Sequence, residues 1–383
     1  MSGSGRLPVA MDVSAVPAQP AGAGVYVLRL VEALAEGGGL DLELVAAVGD
    51  RQRWEVAAPE ARVHAVAPGR RPARLAWEQA QAPALARRLG GLWHGPHYTM
   101  PLRANVPTVV TIHDLTFFDH PEWHERAKVV YFRRMIRESA ERADTLVCVS
   151  QYTAARLHAL LSPRIPVEVI THGVDHRRFR TGDEDDLARL GTLGVRAPFV
   201  AFTGTLEPRK NVPALVRAMA RLAPAHPELQ LVLAGHRGWG GAEVDATVAT
   251  SGLDERVVNL GYVEDEVLPA LYRQAAAVAY PSLEEGFGLP ALEALACGAA
   301  VVTSSGSAME EVAGGAALLV RPGDEGGLTE ALEALVAGGS EVEDLRRAGP
   351  VVAKGHTWAA AAERQLEVYR RVLEGSPRLP SGS

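Results

Sequence analysis

Short and almost wholly apolar runs alternate with longer helical patterns along most of this chain. PVAMDV at residues 8–13, TVVTI at 108–112 and FVAFT at 199–203 are three such runs. Strands that are apolar on both faces are typical of a parallel sheet covered by helices on each side. The alternation therefore predicts an α/β protein with doubly wound, Rossmann-like sheets.

Two series of this kind follow one another, and 383 residues exceed what a single core usually serves. The first series predicts strands at Pro8–Val13, Leu42–Val48, Thr108–Ile112 and Thr145–Val149, with helices at Val25–Glu36 and Arg126–Arg142. The second predicts strands at Phe199–Thr203, Gln230–Ala234, Val257–Asn259, Ala277–Tyr280, Ala300–Ser304 and Ala317–Val320, with helices at Pro213–Leu222, Asp265–Arg273 and Leu289–Ala296. We therefore expect one domain at residues 1–180 and another at 181–357.

The formal net charge of −7 is unevenly distributed. Residues 1–180 hold 22 Lys and Arg against 18 Asp and Glu, whereas the remainder holds 17 against 28. The first half is thus the side that favours an anionic acceptor or an anionic membrane surface. Nucleic acid is not an expected partner, because no stripe of basic and aromatic residues occurs. Without a signal sequence or a spanning apolar run, we expect a cytoplasmic protein, with peripheral contact to the inner membrane face left open.

The segment Gly204–Asn211, with the sequence GTLEPRKN, follows a predicted strand and precedes a predicted helix. Backbone N–H groups at the start of a helix form a ready site for an anion. Gly204 permits close approach of the backbone to a ligand, and Arg209 and Lys210 supply two cations that suit phosphate oxygens. The alternative is a solvated basic turn. A P-loop is excluded, because Gly-Lys-Ser/Thr is absent.

The segment Glu285–Glu293, with the sequence EGFGLPALE, carries a carboxylate at each end. It follows the predicted strand Ala277–Tyr280, at the edge where α/β sheets bind ligands. A carboxylate accepts hydrogen bonds from hydroxyl groups, which suits the vicinal diols of a ribose or a hexose. The alternative is a pair of surface acids that cap a helix. Together with the phosphate-like cluster upstream, this segment predicts a nucleotide-sugar site.

In the first half, His113 and Asp114 follow the strand Thr108–Ile112, and WHGPHY at residues 93–98 has the character of a site loop. A lone histidine is usually structural, but His113 stands where a ligand is expected, and we assign it to catalysis. The acceptor side is assigned to His97, Tyr98 and Asp114. No metal site is predicted, because His94 and His97 lack a clear carboxylate or thiol partner.

Two further features of the first half are weaker signals. Gly22 and Gly24 flank the start of a helix after the first strand, which alone is weak evidence for phosphate binding. The helix at Arg126–Arg142 carries Lys128, Arg133, Arg134 and Arg137. We interpret these side chains as a solvated basic face, with a patch for an anionic acceptor or a membrane as the alternative.

Five stretches together resemble the retaining GT-B glycosyltransferases of family GT4. They are GTLEPRKN, LAGHRGW, LGYVEDEVLPALYRQA, PSLEEGFGLPALEALACGAAVVTS and HTWAAAAERQLEVY, which follow in order through most of residues 198–375. The N-terminal runs MDVSAVPAQPAGAGVYVLRLVEAL and VVTIHDLTFFDHPEW are similar to a bacterial mannosyltransferase-like branch. The resemblance implies a GT-B fold, with two Rossmann-like domains facing across a cleft and a last helix at 358–373 returning to the N-terminal domain.

The resemblance also implies roles for individual residues. The second domain would hold a nucleotide sugar, with its diphosphate on Arg209 and Lys210, and the first would hold the acceptor. Donor contacts would come from Gly22, Gly24, Gly204, Tyr262, Val263, Glu285, Gly286, Phe287, Gly288, Leu289 and Glu293. Among them, Glu293 would hold the ribose, Glu285 the donor sugar, and the backbone at Tyr262 and Val263 the base. His113 would lie beside the donor sugar.

The expected reaction is metal-free and cofactor-free hexosyl transfer with retention, from GDP-mannose or else a UDP- or dTDP-hexose. The acceptor is open among a glycan, a lipid-linked intermediate and a natural-product aglycone. Three alternatives are kept: a nucleotide-sugar epimerase of the same fold, a non-catalytic partner of another transferase, and a phosphorylase. The epimerase would need an acid and a base, which we do not identify. The phosphorylase would usually need a lysine that binds pyridoxal, and no lysine in this sequence has that context.

Overall fold

The computed structural model describes residues 5–182, 186–264 and 266–375, and these form two compact units. The N-terminal unit comprises the described residues up to Gly173 together with the helix that begins at Trp358. The C-terminal unit runs from Val174 to Thr357. The sequence had suggested a boundary at residue 180. In the structure the boundary between the two units lies upstream of it, between Gly173 and Val174.

A seven-stranded parallel sheet forms the centre of the N-terminal unit, in the order β3-β2-β1-β4-β5-β6-β7. The strands are β1 (Leu7–Asp12), β2 (Leu40–Ala47), β3 (Arg62–Ala67), β4 (Leu92–Gly95), β5 (Thr108–Ile112), β6 (Thr145–Cys148) and β7 (Val167–Val169). The chain winds outward from β1 on one side and from β4 on the other. The point between these two strands is where doubly wound sheets bind ligands.

Helices cover both faces of this sheet, as apolar strands require. They are α1 (Ala23–Gly37), α2 (Arg51–Ala57), α3 (Arg71–Ala80), α4 (Ala82–Leu89), α5 (Thr116–Asp119), α6 (Arg126–Arg142) and α7 (Gln151–Leu161), with a 3₁₀ turn at Pro121–Trp123. On α1, Tyr26, Leu30 and Leu34 recur at helical spacing and are buried against the core. The final helix of the described chain supplies Tyr369 and Val372 to that same core, so it belongs to this unit.

A six-stranded parallel sheet forms the C-terminal unit, in the order β10-β9-β8-β11-β12-β13. The strands are β8 (Phe199–Thr203), β9 (Gln230–Ala234), β10 (Val257–Gly261), β11 (Ala277–Tyr280), β12 (Val301–Ser304) and β13 (Ala317–Val320). Here the winding reverses between β8 and β11. Of the two motifs that the sequence assigned to the donor, the first begins directly after β8 and the second begins at Glu285, in the loop that follows β11.

The helices of the C-terminal unit complete its layers. They are α8 (Asp186–Gly191), α9 (Val212–Leu222), α10 (Gly241–Thr250), α11 (Val267–Gln274), α12 (Leu289–Ala296), α13 (Ala308–Ala313), α14 (Glu325–Ala337) and α15 (Ser340–Lys354), with a 3₁₀ turn at Pro208–Lys210. The last helix, α16 (Trp358–Gly375), returns to the N-terminal unit. The helix expected from Asp265 begins at Val267, and Asp265 itself lies outside the described residues.

The predicted fold class is confirmed, since each unit is a doubly wound, Rossmann-like parallel sheet with helices on its faces. Among the described residues, no helix combines the length and the apolar character needed to cross a membrane.

Candidate functional site

The two donor motifs of the C-terminal unit meet because their strands are neighbours. Strands β8 and β11 pair in parallel, with Val200 opposite Ala277, so their carboxyl ends lie side by side. The loop after β8 carries Arg209 and Lys210 in a 3₁₀ turn, and the loop after β11 carries Glu285. A backbone hydrogen bond of 2.7 Å from Leu283 N to Arg209 O joins the two loops.

Glu285 accepts hydrogen bonds from both predicted phosphate ligands. Arg209 Nη1 donates to Glu285 Oε2 at 2.5 Å, and Lys210 Nζ donates to Glu285 Oε1. Ser282 Oγ donates to the same Oε1 at 3.0 Å. The structure therefore brings together three residues that the sequence had assigned separately to phosphate and to sugar.

Glu285 and Lys210 are buried, Arg209 is partly buried, and neighbouring charges shift the pKa values of the first two. The side chain of Glu285 is 7% exposed and that of Lys210 is 11% exposed. Burial alone would raise the pKa of Glu285, but the charges of Arg209 and Lys210 outweigh it and lower that pKa to about 2. Burial lowers the pKa of Lys210, against the opposing effect of Glu285. Glu285 is therefore a carboxylate at any physiological pH.

Glu207 is a member of this cluster to which the sequence analysis gave no role. Its Oε2 accepts a hydrogen bond of 2.6 Å from Arg209 Nε, so the guanidinium is held between two carboxylates. Glu207 and Glu285 together balance the charges of Arg209 and Lys210. The only signal in the sequence was the position of Glu207 within the GTLEPRKN segment.

The turn Gly286–Gly288 leads from the cluster into α12. Gly288 is the N-cap of that helix with a φ of 101°, and a Cβ there would lie 2.2 Å from Met309 Sδ. A side chain at this position would therefore clash as well as strain the backbone. Gly286 and the apolar residues Phe287 and Leu289 are buried, so the turn is packed into the unit rather than free in solvent.

Glu293 lies on α12 beside a buried hydroxyl cluster. Tyr272 OH donates to Glu293 Oε2 at 3.4 Å. The hydroxyls of Tyr272 and Tyr280 each lie 2.7 Å from Thr203 Oγ1, at the end of β8. The hydroxyl cluster thus connects the carboxylate to the strand that precedes Gly204. The sequence analysis identified Glu293 but not these three hydroxyl residues.

Tyr262 and Val263, which the resemblance assigned to the nucleotide base, follow β10. Tyr262 is 45% exposed, and its ring stacks on that of His236 with centroids 4.9 Å apart. Gly204 and Gly235 follow the neighbouring strands β8 and β9, and a Cβ on Gly235 would lie 2.2 Å from Gly204 O. Glycine at 235 therefore allows the two loops to pass in close contact.

In the N-terminal unit, His113 lies at the end of β5 among other rings. Its Nε2 donates to Pro96 O at 2.8 Å, which leaves Nδ1 as the acceptor nitrogen of the neutral ring. Burial lowers the pKa of His113, so the neutral form prevails at physiological pH. The rings of His97 and Tyr98 lie 5.6 Å and 5.4 Å from that of His113.

Two of the three predicted acceptor-side residues, Tyr98 and Asp114, are joined by a hydrogen bond, and the ring of His97 lies 5.0 Å from that of Tyr98. Tyr98, which has a φ of 68°, donates from its hydroxyl to Asp114 Oδ2 at 2.8 Å. Asp114 Oδ1 accepts from Thr116 N and Oγ1 at 3.1 Å and 2.7 Å. His97, Tyr98, His113 and Asp114 thus lie together at the carboxyl edge of the N-terminal sheet.

The remaining predicted residues of the N-terminal unit are placed as follows. Gly22 is the N-cap of α1 with a φ of 49°, and Gly24 lies in the first turn. Both lie in a different unit from Arg209 and Lys210. His94 has both ring nitrogens within hydrogen-bond distance of hydroxyls, Tyr369 OH at 2.7 Å and Thr111 Oγ1 at 2.9 Å. No group of His, Cys, Asp and Glu suited to a metal occurs in the part of the chain that the structure describes.

The basic side chains of α6 are largely engaged within their own unit. Lys128 pairs with Glu125 at 2.8 Å, and Arg133 donates to Phe117 O at 2.6 Å. The guanidinium of Arg137 lies 5.1 Å from the ring centroid of Phe118. Lys128 and Arg133 are partly buried, and Arg134 and Arg137 are exposed, so only part of this side of α6 is a solvated basic face.

Comparison with known families matches both halves of the chain. Residues 20–178 match the model of Glycosyltransferase Family 4, and residues 197–338 match that of Glycosyl transferases group 1. The O-antigen chain mannosyltransferase B of Escherichia coli is 30% identical over 302 residues, which are 78% of this chain and 78% of that protein.

A second curated relative is the D-inositol 3-phosphate glycosyltransferase of Rhodococcus erythropolis, 29% identical over 311 residues. The match takes in 77% of this chain but 66% of that protein, just under two thirds of its length. Among solved structures, HepE of Anabaena in complex with UDP-glucose superposes with a TM-score of 0.77 at 20% identity, over 95% of this chain and 99% of that one.

The curated relatives are named as glycosyltransferases, which confirms the predicted enzyme class of hexosyltransferase. The two matched families and the paired Rossmann-like units lead to the same assignment. The chain belongs to glycosyltransferase family 4 and has the GT-B type of fold.

Proposed function

We propose that this protein transfers a hexosyl group from a nucleotide diphosphate sugar to an acceptor hydroxyl, with retention of anomeric configuration. The observation that carries the proposal is the cluster of Arg209, Lys210 and Glu285 at the carboxyl ends of β8 and β11. It combines cations for a diphosphate with a carboxylate for sugar hydroxyls, at the position where doubly wound sheets bind nucleotides.

The chemical task is to stabilise a leaving diphosphate as it gains negative charge. Lys210 is a buried cation and Arg209 a partly buried one, and their attraction to that charge is stronger in such a site than in water. The bond from the anomeric carbon to the phosphate oxygen breaks, and the bond to the acceptor oxygen forms on the same face. The acceptor proton passes to the departing phosphate oxygen, so this route needs no enzyme nucleophile. We keep His113 as the proposed catalytic residue of the N-terminal unit.

In this proposal the phosphates must share the two cations with Glu285. Arginine has five donors and lysine has three, so each can serve a carboxylate and a phosphate together. Glu285 then accepts from the hydroxyls of the donor sugar, and Glu293, beside Tyr272, accepts from the ribose. The base is assigned to the backbone at Tyr262 and Val263, near the ring of His236.

Two names among the relatives bear on the donor. The Escherichia coli relative is a mannosyltransferase, which favours a mannosyl donor, and GDP-mannose remains our preferred candidate. The HepE structure contains UDP-glucose, which keeps UDP-hexoses as the next candidates. The acceptor is proposed as a glycan, a lipid-linked intermediate or a natural-product aglycone. We propose a metal-independent reaction in the cytoplasm, with peripheral membrane contact if the acceptor is lipid-linked.

A thermal-shift panel tests the proposal directly. The protein would be heated with GDP, UDP, dTDP and ADP and their sugars, with and without magnesium. A ligand that binds only the native state stabilises it by mass action and so raises Tm. At a ligand concentration of 100 times Kd, the stabilisation is about 2.7 kcal/mol. A metal-independent shift with one base is expected and would identify the donor class. No shift with any nucleotide would refute the donor site.

Release of free nucleotide distinguishes transfer from the alternative reaction. A transferase releases nucleoside diphosphate in proportion to acceptor, whereas an epimerase converts one nucleotide sugar into another without acceptor. Conversion of the sugar without release of nucleotide would overturn the transferase assignment.

A further inference from the structure

A buried arginine in the N-terminal unit has no ionic or hydrogen-bonding partner for its side chain. Arg74 lies on α3 and is 8% exposed. Its guanidinium forms no hydrogen bond or salt bridge with any other residue in the described ranges, and its nitrogens are not sealed from solvent. Arginine is almost never this deeply buried unless it is paired, so its five donors require an explanation.

The carboxylates near Arg74 bind other, neutral donors. Asp12 Oδ1 accepts from Ser14 N at 3.0 Å and from Ser14 Oγ at 2.6 Å. Glu78 Oε1 accepts from Thr99 Oγ1 at 2.6 Å, and Oε2 accepts from Tyr131 OH at 3.2 Å. These carboxylates affect Arg74 only through longer-range attraction, and they leave its guanidinium free for a further partner.

The negative charge around Arg74 is also reduced. Burial, and then the charge of Asp12, raise the pKa of Glu78 to about 7, and burial raises the pKa of Asp12. Near neutral pH, Glu78 is therefore only partly ionised. The positive charge of the guanidinium is not fully balanced by its surroundings.

Arg71 adds a second unpaired cation one helical turn away. It is exposed, and its side chain has no hydrogen bond or salt bridge to another described residue. Partial burial, and then the charge of Arg74, lower the pKa of Arg71. Glu125 attracts Arg71 from a distance but pairs with Lys128 at 2.8 Å. Two guanidiniums that repel each other are stabilised by an anion between them.

This pair of arginines lies at the edge of the sheet that carries the predicted acceptor residues. Asp12 ends β1, and His97 follows β4, the neighbouring strand. The pKa of His97 is lowered first by burial, next by the charge of His113, and then by the charges of Arg74 and Arg71. Both guanidiniums therefore lie within electrostatic reach of that ring. An anion held by the arginines would thus lie within electrostatic reach of His97.

We propose that Arg71 and Arg74 form a binding site for a phosphate group carried by the acceptor. The planar guanidinium presents paired N–H donors that match phosphate oxygens, and residues three apart on a helix share one face. The assignment of this phosphate to an acceptor rests on the proposed transfer function. The binding of phosphate by the two arginines does not depend on that function.

Isothermal titration of the full-length protein with a hexose 6-phosphate tests the site. A saturating nucleoside diphosphate keeps the probe from Arg209 and Lys210, and the free hexose serves as the uncharged comparison. We expect binding of the hexose phosphate that weakens with salt. Arg74→Gln and Arg71→Gln should each weaken it about tenfold or more, since a hydrogen bond to a charged group is lost. Arg74→Lys should be intermediate, because charge remains but the paired donors do not.

Arg88→Gln is the matched control, because it removes the same charge from an exposed position on α4 of the same unit. It should leave binding unchanged. If Arg74→Gln does not fold, the exposed Arg71→Gln still decides the question. Hexose phosphate binding that survives both Arg71→Gln and Arg74→Gln would overturn the proposal, as would equal binding of the free hexose.

A crossed design separates this site from the donor site. Arg209→Gln should lose nucleotide binding but keep hexose phosphate binding in the absence of nucleotide, and Arg74→Gln should show the reverse. If no nucleotide binds the native protein but hexose phosphate does, the donor assignment fails while this site stands. Vesicles with and without a polyprenyl phosphate form a second arm, in which binding that requires Arg71 and Arg74 identifies a lipid-linked phosphate as the source.

Discussion

Replacement of Glu285 by glutamine should destabilise the protein yet strengthen its binding of nucleotide. Glu285 is the shared acceptor of Arg209 and Lys210, and its pKa is lowered from 4.5 to about 2. At 1.36 kcal/mol per pKa unit, that shift corresponds to about 3 kcal/mol of stability. The same magnitude, about 3–5 kcal/mol, is typical when one member of a buried ion pair is removed.

The same loss should favour an incoming diphosphate. In the Glu285→Gln protein, Arg209 keeps Glu207 at its Nε but loses the carboxylate at its Nη1, and Lys210 loses its carboxylate, so phosphate oxygens can replace Glu285 at both cations. Recovery of half of the 3 kcal/mol on binding would tighten nucleotide affinity roughly tenfold. Turnover should fall by about 10- to 100-fold, since the sugar hydroxyls lose a charged acceptor.

Two measurements check this prediction. Thermal unfolding without nucleotide should show a Tm lower by about 5–10 °C. Titration with the nucleoside diphosphate identified by the thermal panel should show the tighter Kd. Glu325→Gln is the control, because Glu325 also lies between two arginines but its side chain is 27% exposed. It should change stability by less than about 1 kcal/mol and leave affinity unaltered. An unchanged Tm together with unchanged or weaker nucleotide binding in Glu285→Gln would refute the reasoning.

Three further predictions concern the two units. Arg209→Ala combined with Lys210→Ala should lower kcat by at least about 10²–10³-fold while the far-UV spectrum is retained, because preorganised charge at the leaving group is lost; near-normal turnover would contradict the phosphate assignment. Glu293→Ala should weaken nucleotide binding measured by titration, and unchanged affinity would remove it from the ribose role. Glu78 has a pKa raised to about 7, so its protonated form stabilises the fold and that contribution decreases as pH rises from about 4.5 through 7. Glu78→Gln should therefore flatten the fall in unfolding free energy over that range, and an unaltered slope would argue against this origin.

The strands that the sequence predicted with the observed bounds include two that are buried on both faces. Phe199–Thr203 and Ala277–Tyr280 form β8 and β11 with those bounds, because an apolar run between turn residues has no other favourable environment. The sequence analysis missed three strands of the N-terminal sheet: β4, whose residues it read as part of a site loop, and β7 and β3, at the two edges. Strand β3 carries Arg62 and His64, which pair with Glu43 on β2, so it lacks the apolar character of a central strand.

Some helices escaped prediction for a related reason. Helix α15 contains Pro350 in its interior and Gly349 just before it, and both residues normally argue against a helix. In the structure, Gly349 lets α15 approach α12 closely, since a Cβ there would lie 2.8 Å from Leu295 O. Tertiary packing of this kind outweighs local preference and has no signature in a single sequence.

In the candidate site, too, local sequence patterns predicted some features, and contacts between distant residues determined the others. The residues that follow β8 and β11 could be predicted, because parallel strands place their carboxyl ends at one edge. The bond between Arg209 and Glu285 could not, since the two residues are 76 positions apart and nothing in either motif identifies the partner. Arg74 was missed because nothing in the sequence of α3 distinguishes it from an arginine on the exposed face of a helix. Only the structure reveals its burial.

The return of α16 to the N-terminal unit has a consequence for the order in which the chain is made. Residues Val174–Thr357 are contiguous, so the C-terminal unit can fold as soon as its last strand and helices have left the ribosome. The N-terminal unit, although its strands precede those of the C-terminal unit, lacks Tyr369 until Val174–Thr357 has been translated. Tyr369 lies 275 residues after its partner His94, and it fills the core against Tyr26 and Leu30. The unit whose strands are made before those of the other must therefore wait, with apolar surface exposed, until α16 covers it.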